Sequence, residues 1–151
     1  MNNDKKIVSW GENYATGINL IDDQHKELVR LTNSLYEACL TSEKEVTATF
    51  REVMGQMVEY VRFHFTVELE LLNRVKYPNY DEHKSQHDSL VRQILEAAKE
   101  FKEGNRYAAN YFVRTLKEWV FGHIAVSDKL YAAYIREQLS KGLLNNKQLE
   151  G

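Results

Sequence analysis

A chain of 151 residues has the length of one ordinary domain, and its 20 Lys+Arg against 22 Asp+Glu are scattered, giving a net charge of −2. That pattern offers no basic stripe for nucleic acid and no polybasic patch for a membrane. Cys39 is the only cysteine, so an internal disulfide and a multi-cysteine metal site are excluded, and any metal must be held by nitrogen and oxygen. The opening MNNDKKIVSW lacks the apolar core of a secretory signal, and no stretch approaches the ~20 apolar residues of a membrane span. The expected location is therefore the cytoplasm, with no nucleic-acid or membrane partner and any protein partner unknown.

Low Pro and Gly counts, 1 and 7, and apolar residues at three-and-four spacing predict an all-α protein. Residues 1–18, with Trp10, Tyr14 and Gly17, read as an irregular N-terminal arm. A first helix over about residues 19–38 carries Ile21, His25, Leu28, Thr32 and Leu35 on one face, with Asn19 as its candidate cap. A capping box, Ser42 with Glu45, opens a second helix to about residue 73, with Phe50, Met57, Val61, His64, Glu68 and Leu71 facing inward before Pro78 breaks the chain. Asn79 with Glu82 begins a third helix to about residue 102, whose seam is His83, His87, Leu90, Ile94 and Phe101, and Gly104 ends it. A fourth, from about residue 105, puts Phe112, Leu116, Trp119 and His123 on its seam, followed by a shorter helix, Asp128 to Leu139. Short connections make this an up-down-up-down four-helix bundle with an N-terminal arm and a short C-terminal helix. The whole reads as one domain, with residues 141–151 as a frayed tail.

All five histidines fall on inward seams. With roughly three positions in seven facing a core, that would arise by chance about once in a hundred times. One such histidine is ordinarily a core imidazole satisfied by a hydroxyl or carbonyl. Five among Leu, Ile, Val and Phe lack such partners, and an unpaired buried polar group costs ~1–3 kcal/mol. A metal resolves this, because one ring nitrogen becomes a ligand while the other donates to a neighbour. His83 and His87 lie four apart, as do His64 and Glu68, so each pair shares a helix face at one depth. Asp128 follows His123 by five residues, which on a regular helix points it about 140° away. The helix should therefore distort or break there, with Ser127 available to cap a restarted turn; by pattern alone Asp128 is the least secure ligand, since an Asp near a helix start is more often a cap or dipole partner. Five imidazoles with one or two carboxylates exceed a closed four-ligand zinc site and suit two transition-metal ions. The Glu-x-x-His pairs of carboxylate-rich di-iron oxidases do not occur in the chain.

The run Gly17-Ile18 to Ile21-Asp22 and Gln24-His25, the motif His64-Phe65-x-x-Glu68, Tyr77-Pro78, His83-x-x-x-His87 and Trp119-x-x-x-His123-Ile124-x-x-x-Asp128 together resemble the hemerythrins, in particular their bacterial single-domain members. The resemblance covers about residues 8–137. It implies that His83, His87 and His123 bind one iron, that His25 and His64 bind a second, and that Glu68 and Asp128 bridge the pair under an oxo or hydroxo group. The iron with two imidazoles then keeps a position for dioxygen, walled by Phe65, Trp119, Val120 and Ile124; the family commonly has leucine where Val120 stands. In such a centre, oxygen uptake coupled to transfer of the bridge proton leaves the net charge unchanged, which avoids burying new charge in a medium of low dielectric. The function so implied is reversible dioxygen binding for storage, delivery or scavenging, not enzymatic turnover. A sensor reporting iron redox state, and an enzyme acting on peroxide or nitric oxide, are the competing readings. Cys39 reads as a boundary residue, and Tyr60, Tyr107, Tyr111, Tyr131 and Tyr134 as packing at helix boundaries without chemistry.

Overall fold

The computed structural model describes residues 6–40, 43–104 and 107–150, apart from the side chains at 43–47 and 119. The Ser42–Glu45 capping box and the Trp119 side chain lie outside the described residues. Helices α1 (Asn19–Cys39), α2 (Glu43–Arg74) and α3 (Tyr80–Lys102) precede α4, which runs from Ala108 to Ser140, and a short α5 (Lys147–Glu150) follows. Each long helix packs on the next, and the first part of α4 closes on α1, so the four form the expected up-down-up-down bundle.

Two helix starts differ in detail from expectation. Asn19 is the first helical residue of α1 and Ile18 its cap, without a side-chain bond. Asp22 works there instead: its carboxylate accepts from the Thr16 and Gly17 backbone amides at 2.8 and 3.1 Å and from the Thr16 hydroxyl at 2.8 Å. A carboxylate in the first helical turn meets the positive end of the helix dipole, and here it also ties the arm down. Asn79 does cap α3 by position, but its side chain makes no capping bond. Gly104, with φ +85°, follows the end of α3 in the left-handed region that glycine enters without strain.

Of the two expected outcomes, distortion or a break, α4 shows distortion. Its backbone stays helical throughout, but two π-helical turns, Leu116–Val120 and Ile124–Asp128, interrupt the α-helical stretches Ala108–Thr115, Phe121–His123 and Lys129–Ser140. The expected C-terminal helix is thus the last third of α4. The tail beyond it is not loose either: Arg74 Nε donates to the Gln148 carbonyl at 2.7 Å, and Leu144 and Leu149 pack on the bundle. Half-buried Cys39 has its thiol pushed up to about 11 by burial, in keeping with an inert boundary residue.

The interior is divided. A large core of Leu28, Phe50, Met57, Val61, Leu90, Ile94 and Phe112, with Phe65, Val120 and Ile124 at its near edge, fills one end. A smaller one, with Ile18, Ile21, Leu71, Leu72, Val75, Tyr77, Tyr131 and Ile135, fills the other. Between them in chain register on every helix lie the histidines and the two inward carboxylates. In α1, Ile21 and Leu28 flank His25; in α2, Val61 and Leu71 flank His64 and Glu68.

Candidate metal centre

The local reason for each side chain's position differs between helices. On α2 and α3 the four-residue spacing of His64 with Glu68 and of His83 with His87 stacks each pair along a regular helix. On α4 the turn Ile124–Asp128 is π-helical, and its i→i+5 bonding brings residues five apart onto one face. The turn therefore swings Asp128 back beside His123 and supplies the distortion the spacing demanded.

All seven candidate ligands converge. His25, His64, His83 and His87 are buried, as are Glu68 and Asp128, both with 0% exposure; the His123 side chain is 6% exposed. Every histidine approaches through Nε2. Glu68 Oε1 stands 2.7 Å from His83 and 2.8 Å from His87, while its Oε2 stands 3.2 Å from His64 and 3.7 Å from His25. Asp128 repeats the division, with Oδ1 at 3.2 Å from His83 and 3.1 Å from His123 and Oδ2 at 3.1 Å from His25. Each carboxylate thus offers one oxygen to the group His83, His87, His123 and the other to the group His25, His64. The ligand atoms of each histidine group with both carboxylates lie within 4.8 Å of one another.

This arrangement needs cations. Imidazole nitrogens and carboxylate oxygens face inward, and the His25 and His64 Nε2 atoms stand only 3.1 Å apart, so at most one proton fits between them. His87 Nε2, His123 Nε2 and both Asp128 oxygens are buried without an aligned hydrogen bond despite their close neighbours. Packed lone pairs of this kind repel one another unless protons or metal ions lie among them.

The metal-free titration states express the same demand. Burial pushes Glu68 upward, but contacts with His25, His64, His83 and His87 hold it well below the usual carboxylate range. Burial and neighbouring Glu68 also push Asp128 up, and His123 and His25 more than reverse this. Burial pushes His25 and His83 down, yet contact with both carboxylates takes each to about 9. His87 meets only Glu68 and falls below its ordinary value, chiefly through burial.

Gln24 and Tyr131 complete the surroundings, and neither was assigned a role from sequence. The His64 Nδ1–H donates to Gln24 Oε1 at 2.7 Å, which turns the Nε2 lone pair inward. Tyr131, expected at a boundary, is fully buried and donates to Glu68 Oε2 at 3.0 Å. Both were detectable as seam positions: Gln24 lies three after Ile21 and four before Leu28, and Tyr131 three after Asp128. Of the expected oxygen-pocket wall, Phe65 stacks on His87 with centroids 3.7 Å apart and 8° between planes, while Val120 and Ile124 lie in the same core, each 2% exposed. A cavity of about 360 Å³ between α3 and α4 reaches His123 and is also lined by Gln86, Ser89, Glu118 and Gly122.

A sequence profile described as the hemerythrin HHE cation binding domain matches residues 16–135. Bacteriohemerythrin of Stenotrophomonas maltophilia is 29% identical over 136 residues, 89% of this chain and 86% of its own length. Bacteriohemerythrin of Pseudomonas aeruginosa is 30% identical over 132 residues, 87% of this chain and 84% of its own length. The crystal structure of wild-type hemerythrin superposes with a TM-score of 0.76 at 26% identity, covering 84% of this chain and 96% of that one. The matched span contains all seven convergent side chains, from His25 to Asp128, and with the shared fold it shows that this chain belongs to the hemerythrin family.

Proposed function

We propose that the protein binds dioxygen reversibly at a pair of non-haem iron ions. His83, His87 and His123 would hold one and His25 and His64 the other, with Glu68 and Asp128 offering carboxylate oxygens to both groups. The observation that carries this reading is the division of each carboxylate, one oxygen toward each histidine group. The hemerythrin family binds non-haem iron and dioxygen, and the buried His/Glu/Asp cluster here is able to hold metal. Bound ferrous ions would supply reversible electron donation to dioxygen.

The chain's own residues set the terms. Gln24 fixes the tautomer of His64 so that its Nε2 faces inward without a proton. Tyr131 donates to the Glu68 oxygen on the two-histidine side, drawing charge from that oxygen and holding the carboxylate in place. Neutral imidazoles fill most positions and only two carboxylates face the centre, so its net charge stays small in a buried layer. Phe65, Val120 and Ile124 form an apolar wall against the large core that keeps water and its protons away. No helix among the described residues is long and apolar enough to cross a membrane; the cytoplasmic location belongs to this proposal, and cell fractionation checks it.

The test is metal content with an optical spectrum of the reduced protein before and after air. Two irons per chain and a visible charge-transfer band that disappears on deoxygenation are expected. One zinc per chain, or iron that oxidises at once with no reversible band, would overturn the carrier reading in favour of a sensor or an enzyme.

A further inference from the structure

Facing the smaller core, Tyr131, which steadies Glu68, and two tyrosines with no part in the proposed function, Tyr77 and Tyr134, form a path from Glu68 toward the surface. Tyr131, hydrogen-bonded to Glu68 Oε2, has its ring centroid 5.5 Å from that of His83. Tyr77 meets Tyr131 edge-on at 6.3 Å, and Tyr134 meets Tyr77 at 5.4 Å. The path ends at half-buried Tyr134, whose hydroxyl donates to the Val75 and Lys76 carbonyls at 2.9 and 3.0 Å in the turn after α2. On the opposite side Phe65 has no hydroxyl, and among the described residues the phenol of Tyr14 is reached only through Trp10, which stands 6.4 Å from His25 and 6.1 Å from Tyr14 and carries the Lys26 ammonium 5.6 Å over its ring. A cation held on an indole face opposes removal of an electron from that ring.

We infer that Tyr131, Tyr77 and Tyr134 carry oxidising equivalents from the iron-loaded centre to the surface when the protein meets hydrogen peroxide, sparing the histidines. The inference rests on the iron reading above. A phenol surrenders an electron far more readily than phenylalanine or an aliphatic side chain, provided its proton has an acceptor; Tyr131 has one in hydrogen-bond contact. Peroxide takes two electrons and two protons, one of each from two phenols, so that H2O2 and two tyrosines yield two waters and two tyrosyl radicals. An external one-electron reductant of the ascorbate class, donating an electron and a proton at Tyr134, restores each phenol.

The test uses oxidised, iron-loaded wild-type protein and the variants Tyr131→Phe, Tyr77→Phe and Tyr134→Phe, with iron content measured first. Each is mixed with hydrogen peroxide, frozen for electron paramagnetic resonance, and mapped by mass spectrometry for oxidised histidine. The wild type is expected to show a tyrosyl signal quenched by ascorbate. Tyr131→Phe should lose it, Tyr134→Phe should keep a longer-lived one, and histidine oxidation should rise several-fold in Tyr131→Phe and Tyr77→Phe. Should Tyr131→Phe fail to hold iron, the Tyr77 and Tyr134 variants, which leave the phenol against Glu68 intact, decide the matter by the same readouts. Iron-loaded wild type with no tyrosyl signal, equal histidine oxidation in all loaded proteins, or a tryptophanyl signal would overturn the inference. Wild type that takes up no iron would overturn the functional reading itself.

Discussion

The centre is built in two ways. In α2 and α3 a regular helix repeats its face every three to four residues, so His64 with Glu68 and His83 with His87 are aligned by spacing alone. In α4 the partners lie five apart and only the π-helical turn Ile124–Asp128 aligns them. The first half gains its geometry from an ordinary helix at no local cost; the second needs an extra residue accommodated in one turn. Where a π-turn holds an additional residue, deleting one restores a regular turn, whereas the same deletion in a regular helix rotates everything beyond it by about 100°.

This difference yields the largest predicted effect. Deleting exposed Thr66 from α2 turns Glu68 and the Leu71 seam away from His64, and should abolish metal binding and unfold the bundle. Deleting Val126 from α4, 63% exposed, leaves His123 and Asp128 four apart on a regular helix, with Tyr131 and Ile135 still facing inward. That variant should fold and keep metal, though more weakly. Circular dichroism and metal per chain check both. Equal loss in the two would mean that the π-turn is more than a device for alignment.

The halves are joined through His25 and His83, the imidazoles that contact both carboxylates, and pH reads that junction. In the metal-free protein each has a folded pKa of about 9 against roughly 6.5 unfolded. Their stabilisation is therefore complete below about pH 6.5 and lost as pH rises through 9. Glu68 and Asp128, held low, stabilise above their unfolded pKa values near 4 and lose that effect as pH falls. Thermal melts of the metal-free protein should peak between about pH 4.5 and 6.5. Metal must displace the imidazole protons, so its apparent affinity in competition titrations should climb from about pH 6.5 to 9. Asp128→Asn removes one carboxylate charge from both imidazoles and should flatten the alkaline limb of the melts; an unchanged limb would show that Glu68 alone governs them.

The same contrast explains what was legible in the sequence. Helices with regular spacing, the five seam histidines and Glu68 followed from periodicity, because burial on a helix face is a local pattern. Asp128 was ambiguous since a π-turn has no residue signature in the run Ile124-Ala125-Val126-Ser127; the spacing announced a distortion without saying whether the helix would bend its bonding or stop. The family resemblance, not geometry, assigned it a role. Gln24 and Tyr131 stood on seams but escaped notice, since what makes them polar partners is a neighbour far along the chain: His64 for the one, Glu68 for the other. The folded-back tail depends on equally remote contacts, between Arg74 and Gln148.

Gln24 allows a smaller, one-sided perturbation. Gln24→Leu removes the acceptor for the His64 Nδ1–H and frees the ring to take the other tautomer. Metal affinity should fall about 10–100-fold, the usual cost of losing such an orienting partner, and, on the proposed two-ion reading, fall more for an ion held by His25 and His64 than for one held by His83, His87 and His123. Stepwise titration with two resolved affinities checks this. Equal weakening at both sites would mean that Gln24 supports the bundle rather than the imidazole.

The smallest effect tests whether the π-turns leave slack. Val120 closes the turn Leu116–Val120 and is 2% exposed beside Phe65 and Ile124 in the large core. A π-turn is wider than an α-turn, and Val120 is shorter by one methylene than the leucine common at this position in the family. If the turn leaves room, Val120→Leu fills it and excludes water better. One buried methylene is worth ~0.8 kcal/mol, which, on the proposed oxygen-binding reading, bounds the gain at roughly fourfold slower decay of the oxygenated form. If the turn is already filled, the added methylene overpacks the core, costs about 1–3 kcal/mol and lowers the melting temperature without slowing decay. Measuring the decay and the melt on one sample separates the two: slower decay at an unchanged melting temperature is the expected result, and equal or faster decay would show that water reaches the centre by a route Val120 does not guard.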